Sequence, residues 1–155
     1  MKGDIKIIDT LNHLLADELT AINQYIVQSE MCDDWGYERL HTEMEKRAIE
    51  EMKHAEKLIA RILFLEGRPV VSNLNKIHIG ENVEQMHNND RSSEAEAIQA
   101  YNDAVKLVQD MGDNGTREQL EDILTDEEAH IDWIEAQLEQ ISQLGLQVYL
   151  VEQLH

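Results

Sequence analysis

Glu51-Met52-Lys53-His54 decides the fold, because its outline returns in Glu127-Glu128-Ala129-His130. In each stretch a glutamate and a histidine stand three residues apart, and residues so spaced share one face of a helix. A further glutamate precedes each pair at the same distance: Glu18 lies 33 residues before Glu51, and Glu94 lies 33 before Glu127. All three positions therefore recur at an offset of 76 residues (18 and 94, 51 and 127, 54 and 130). A carboxylate from one helix and a Glu-x-x-His pair from another, present twice, form the ligand set of a two-metal centre inside four helices.

One Glu-x-x-His pair arises readily by chance in an acidic helical protein. Two pairs, each with an upstream glutamate at identical spacing, do not. Six buried polar groups around an empty space would be costly, and coordination by metal removes that cost. Glu51 and Glu127 are expected to bridge two ions, with Glu18 and His54 on one ion and Glu94 and His130 on the other. Mixed oxygen and nitrogen donors suit iron, manganese or zinc and do not suit copper(I).

The flanks of these residues supply the helices. Ile8, Leu11, Leu15, Leu19, Ile22 and Ile26 recur every three or four residues, which predicts a helix from about Ile5 to Cys32. Trp35-Gly36 marks a turn. A second helix runs from about Glu38 to Leu65 and is stopped by Gly67 and Pro69. Val70 to Gly80 has no steady period and reads as an extended crossover. A third helix is expected over about Asn82 to Met111, with a break near Arg91-Ser92-Ser93. Gly112 to Gly115 forms a tight connection, after which Thr116 caps a fourth helix with Gln119 completing the box. That helix ends near Leu144, before Gly145, and a short helix follows over about 146–154. Short first and third connections make antiparallel hairpins, while the long middle one places the second and third helices parallel. The expectation is an all-α, single-domain chain over 1–155, with a four-helix bundle over about 5–144.

The 155 residues carry 32 acidic and 13 basic side chains, a formal charge of −19. Such a chain repels nucleic-acid phosphates, whose binding needs Lys and Arg, and it concentrates cations. Cys32 is the single cysteine, so no intrachain disulfide forms. Without a signal peptide or long apolar run, the expected setting is cytoplasmic, with no membrane insertion.

Other residues near the ligands have two readings each. Tyr25, two turns after Glu18, is either a core aromatic or a group that hydrogen-bonds a ligand or carries an electron. Trp133, three residues past His130, reads as packing in preference to a redox group. Glu50, Asp126 and Glu128 face either another compartment or water. Met52 follows Glu51 and so points about 100° round the helix; on its own it reads as a gap-filling core methionine.

Taken together these motifs resemble the bacterioferritins, the haem-containing branch of the ferritin-like proteins. The resemblance spans nearly the whole chain. It includes Met1-Lys2-Gly3-Asp4, Glu18 through Tyr25, Trp35-Gly36, Glu51 through Ala55, Arg61 through Gly67, Asp126 through Trp133, and Gly145 through Leu150. It implies a ferritin-like bundle with a short fifth helix, and a ferroxidase whose six ligands are those named above. Ferrous iron would be oxidised by dioxygen or peroxide and stored as ferric mineral inside a shell of 24 subunits built from dimers. It also implies that Met52 ligates a haem b shared between two subunits, with Leu19, Ile22, Asn23, Ile49 and Lys53 near the ring. A ferredoxin reductant and co-assembly with a second bacterioferritin subunit are further implications.

Three departures from that pattern stand out. Lys46 replaces a histidine and Glu50 an aspartate on the inner wall, which puts an inner-surface iron site in doubt because a protonated ammonium cannot ligate. Val148 and Val151 replace amides near the four-fold channel, so iron would enter by other acidic pores. The competing functions are a non-storage di-iron oxidase or peroxide scavenger on the same bundle, and a carrier that holds haem or metal without catalysis. A DNA-protecting mini-ferritin is disfavoured by the lack of a basic N-terminal arm.

Overall fold

In the computed structural model, which describes residues 1–155, four long helices and one short one account for the chain: α1 (Ile5–Asp34), α2 (Glu38–Phe64), α3 (Val83–Asp110), α4 (Asn114–Leu144) and α5 (Leu146–Val151). Each bundle helix starts where the local chemistry supplies a cap or a turn. Asp4 accepts from the Lys6 N–H at 2.8 Å. Asn82 accepts from the Gln85 N–H at 2.9 Å, while the Gln85 side chain reaches back to the Glu81 N–H at 2.9 Å.

The start of α4 differs from expectation. The cap is Asp113, not Thr116, so the helix begins three residues earlier than expected, at Asn114. The Asp113 carboxylate takes both the N–H of Thr116 at 3.0 Å and its hydroxyl at 2.6 Å, so Thr116 is drawn into the first turn. Arg61, near the end of α2, completes the knot by donating to Asp113 at 3.1 Å and to the Thr116 hydroxyl at 2.8 Å. A Cβ at Gly115 would meet the Arg61 guanidinium at 2.8 Å, so a larger residue there would push the end of that side chain aside. Burial opposes ionisation of Asp113, but Thr116 and Arg61 hold its carboxyl below the usual range. A group depressed in this way stabilises the fold above its unfolded pKa, and the contribution fades as pH falls through the folded value. Asp113→Ala is expected to cost about 1–2 kcal/mol at neutral pH, read from urea unfolding, and to cost progressively less in acid.

The expected break in α3 is absent. Asp90 accepts from Gln24 and Gln28 of α1, and Glu94 accepts from Tyr25, so α3 is pinned to α1 on both sides of Ser92-Ser93. α5 ends at Val151, three residues short of its expected end. Gly145 separates it from α4 at φ 80° and ψ 149°, a conformation reserved for glycine.

The crossover lies along α1, clipped by side chains of that helix. Asn12 bonds the backbone of Arg68 and Val70, the Thr20 hydroxyl accepts from the Asn75 N–H, and the Gln24 carbonyl accepts from the His78 N–H. The chain thus returns to the starting end of α2, and α3 runs parallel to α2. The main core joins all four long helices through residues such as Leu11, Leu15, Leu58, Ile62, Val108 and Ile123. A smaller apolar cluster of Cys32, Leu40, Met86, Ile141 and Tyr149 seats α5 on the bundle end.

Candidate metal centre

Six ionisable side chains meet halfway along the bundle, with Glu18 from α1, Glu51 and His54 from α2, Glu94 from α3, and Glu127 and His130 from α4. None is more than 4% exposed. They form two sets, Glu18, Glu51, His54 and Glu127 in one and Glu51, Glu94, Glu127 and His130 in the other. Glu51 and Glu127 belong to both.

The distances show how the sharing works. Glu127 places Oε1 3.1 Å from His54 Nδ1 and Oε2 3.5 Å from His130 Nδ1. Glu51 places Oε1 3.0 Å from His130 Nδ1 and Oε2 3.9 Å from His54 Nδ1. Each of these two carboxylates therefore offers one oxygen to each half. Glu18 approaches only His54 (3.6 Å) and Glu94 only His130 (3.6 Å).

Two groups that the sequence left ambiguous hold the imidazoles from behind. His54 Nε2 lies 2.9 Å from Asp126 Oδ2, and His130 Nε2 lies 2.7 Å from Glu50 Oε2. A carboxylate on Nε2 keeps the proton there and leaves the Nδ1 lone pair facing inward, the tautomer a metal needs. Glu128 is exposed and takes no part. Lys46 is exposed too, and Glu50 meets His130 through Oε2 while its side chain stays partly exposed.

Two phenols complete the surroundings. Tyr25 donates to Glu94 Oε1 at 2.8 Å, so its partner is the ligand of α3 and not Glu18 of its own helix. Tyr101, which motif reading missed, donates to Glu18 Oε1 at 2.6 Å. The signal was available: 25 and 101 are 76 apart, as are Glu50 and Asp126, the same offset that relates the ligands. Trp133 packs edge-on against His87 and lies under Arg47, consistent with a packing role.

The donor set fits a pair of cations. The Nδ1 atoms of both histidines and one oxygen each of Glu18, Glu51 and Glu127 are buried without a hydrogen-bond partner. In each set the ligand atoms lie within 4.8 Å of one another around the same central space. Burial raises Glu18 well above the usual carboxylate range and Glu94 to about 7, with the neighbouring glutamates adding to it. Glu51 is held down to about 2 despite burial, through its contacts with Glu18, His130 and His54, and Glu127 is lowered in the same way. Burial would depress both imidazoles, but the close carboxylates outweigh it, raising His130 to about 12 and His54 further still. Protons thus stand in for cations when the centre holds no metal.

Filling the centre must expel those protons, one from each imidazole at least, and metal affinity must rise with pH. Zinc added to metal-free protein in weak buffer at pH 7 is expected to acidify the solution by two or more protons per filled centre, read with a pH indicator. Loading without acidification would contradict the arrangement.

Comparison with known proteins agrees with the geometry. The Ferritin family model, described as a ferritin-like domain, matches residues 8–144. The chain is 41% identical to the bacterioferritin of Rhodobacter capsulatus over 95% of its own length and 91% of the relative's. It is 38% identical to that of Brucella melitensis, covering 96% and 92%, and 39% identical to that of Streptomyces coelicolor, covering 97% and 90%. The chain belongs to the bacterioferritin family. As in the sequence reading, the function of this bacterioferritin is iron storage with ferroxidase activity, and its cofactors are a di-iron centre and haem. Family membership also supports an oligomeric assembly. No helix is long and apolar enough to cross a membrane.

Met52 is not a core filler, since it is 44% exposed. It lies in a shallow groove of about 170 Å³ with Ile22, Ile26, Ala48 and Ile49. Of the residues expected near it, Ile22 and Ile49 line the groove, whereas Leu19, Asn23 and Lys53 do not.

Proposed function

We propose that Glu18, Glu51, His54, Glu94, Glu127 and His130 are the ferroxidase ligands, and that Glu51 and Glu127 bridge the two irons. The observation that carries this is the presentation of one oxygen of each bridging carboxylate to each histidine. Two irons bound together can each give one electron to dioxygen or peroxide. The residues around them do the rest. Glu50 and Asp126 fix the imidazoles, Tyr25 and Tyr101 orient the terminal carboxylates, and the apolar core holds the helices at a constant spacing.

Ferrous ions enter from the crossover side. A pocket of about 260 Å³ opens between α1, α3 and the crossover, reaching the four ligand carboxylates at its floor and Asp17 and Glu96 toward its mouth. Six of its lining residues are carboxylates and only three are hydrophobic, which suits a cation better than an apolar substrate, so the storage reading is favoured over an oxidase with an organic substrate. Val148 and Val151 on α5 are 53% and 61% exposed, giving an apolar surface that does not attract ions.

The exposed thioether of Met52 in its apolar groove supports haem b ligation, with a second copy of the chain closing the other face. The assembly that accommodates both features is a 24-subunit shell built from dimers. Cys32, free and buried, suits a reducing cytoplasmic setting. A ferredoxin reductant and a second subunit type are the corresponding partners.

Size, absorbance and oxygen uptake of the purified complex test this together. The expected result is a particle of 24 chains that carries a ferrous haem spectrum on reduction and consumes oxygen when ferrous iron is added. A monomer with no iron-dependent oxygen uptake would overturn the reading.

A further inference from the structure

His87 is the one buried imidazole that the metal centre does not use. It is fully enclosed on α3, edge-on to Trp133 of α4 and to Tyr149 of α5. The Tyr149 hydroxyl commits its proton to Gln137 Oε1 at 2.8 Å, so the 3.0 Å contact between that hydroxyl and His87 Nε2 is made by an imidazole N–H. The single ring proton of neutral His87 therefore sits on Nε2. Nδ1 is left as a bare lone pair, buried and without a partner.

The seating of α5 depends on this corner. The helix is six residues long, follows Gly145, and has Tyr149 as its one buried side chain. Beyond the apolar cluster around it, Tyr149 is held by His87 and Gln137. Gln153, past the end of the helix, adds two bonds by donating to the Tyr149 carbonyl and accepting from the Arg39 N–H.

A second proton on His87 could go only to Nδ1, where no acceptor waits. A charged ring with an unmet N–H is costly to bury. The neighbours do not relieve it. From α2 come Arg47 and Arg39, the second acting on Tyr149, and both are like charges. Trp133 and Gln137 of α4 are uncharged. The Cys32 thiol of α1 is kept protonated by burial, with Asp90 adding to it. On α3 itself Asp90 lies one turn on and gives both oxygens to Gln24 and Gln28 of α1. Burial, with Arg47 adding to it, pushes His87 down to about 4.

Lifting α5 away removes the cost, because water then reaches Nδ1. We propose that His87 is an acid-released latch: α5 stays seated while this imidazole is neutral and comes away as it gains a proton. A released His87 titrates near the ordinary value of about 6.5. The seated value is lower, so seating is strongest at neutral pH, weakens as pH falls below the released value, and levels out below about 4. The two values weaken seating about tenfold at pH 5.5 and roughly 80-fold at pH 4.5. Release uncovers the cluster of Leu40, Met86 and Ile141 and carries the exposed Val148 and Val151 away with α5. Mild acid thus changes the apolar surface that this end of the bundle offers to neighbouring chains.

Hydrogen exchange on the whole assembled protein tests this. It is read by mass spectrometry on peptides covering residues 146–151 from pH 7.5 to 4.5, with the intrinsic exchange rate corrected for pH. Protection of α5 in wild type is expected to fall about tenfold by pH 5.5, while peptides of α2 around Leu58 and Ile62 keep theirs. His87→Leu and His87→Gln cannot gain the proton, so in both the protection of α5 is expected to stay within about twofold over the same range. Either variant suffices if the other fails to fold. Wild-type protection that is flat with pH, an equal acid loss in whichever variant folds, or a loss shared by α2 overturns the proposal.

Discussion

Glu127→Ala is expected to leave the bundle folded and to abolish paired metal binding. Glu127 is one of two residues whose oxygens face both histidines, here at 3.1 and 3.5 Å, and without it only Glu51 spans the halves. Substitutions behind the ligands commonly cost 10–100-fold in affinity or activity, so loss of a bridging ligand should cost at least about 100-fold in the rate of ferrous oxidation. Folding should survive, because the change removes one of four crowded carboxylates from a site where like charges already oppose each other. Cobalt(II) titration followed by calorimetry reads the stoichiometry directly. Two ions held as tightly as in wild type would show that Glu127 does not bridge. Haem absorbance should be unchanged, because Glu127 does not line the Met52 groove.

Met52→Leu is expected to give the opposite result. The swap conserves volume and falls at a half-exposed position, so it should cost well under about 1.5 kcal/mol. It removes the only thioether in the groove formed with Ile22, Ile26 and Ile49. The haem spectrum should disappear while ferrous oxidation continues at the wild-type rate. The separation follows from helix geometry: Glu51 and Met52 are adjacent in sequence, yet one is 2% exposed and faces the centre while the other is 44% exposed and faces outward. Haem retained by Met52→Leu would remove Met52 as its ligand. If both variants lost oxidation together, the two sites would not be independent.

The two variants also separate the competing functions. A carrier without catalysis would keep two cobalt ions and consume no oxygen even as wild type. A storage shell loses oxidation only when the centre is broken.

Much of this protein was legible before any coordinates, for a physical reason. Helical periodicity is local, so the spacing of Ile8, Leu11, Leu15 and Leu19 announced α1, and Glu-x-x-His placed two ligands on one face. The duplicated interval of 33 residues then joined four helices around one centre. Caps were less legible, because Asp113 and Thr116 are both good cap residues and the choice turned on Arg61, a distant side chain that reaches both. The continuity of α3 through Ser92-Ser93 was likewise decided by Gln24, Gln28 and Tyr25 on another helix.

What the sequence determined by itself was the set of helices, the six converging side chains and the order of their halves, since each follows from residue type and interval along one chain. What only the tertiary structure decided was which partner each group meets. Tyr25 serves Glu94 across the bundle, Tyr101 serves Glu18, and Glu50 and Asp126 stand behind the imidazoles. These are contacts between residues 69 to 83 positions apart in most cases, and local spacing does not encode them. Packing of the four helices does, because it sets which faces oppose and how far a side chain must reach.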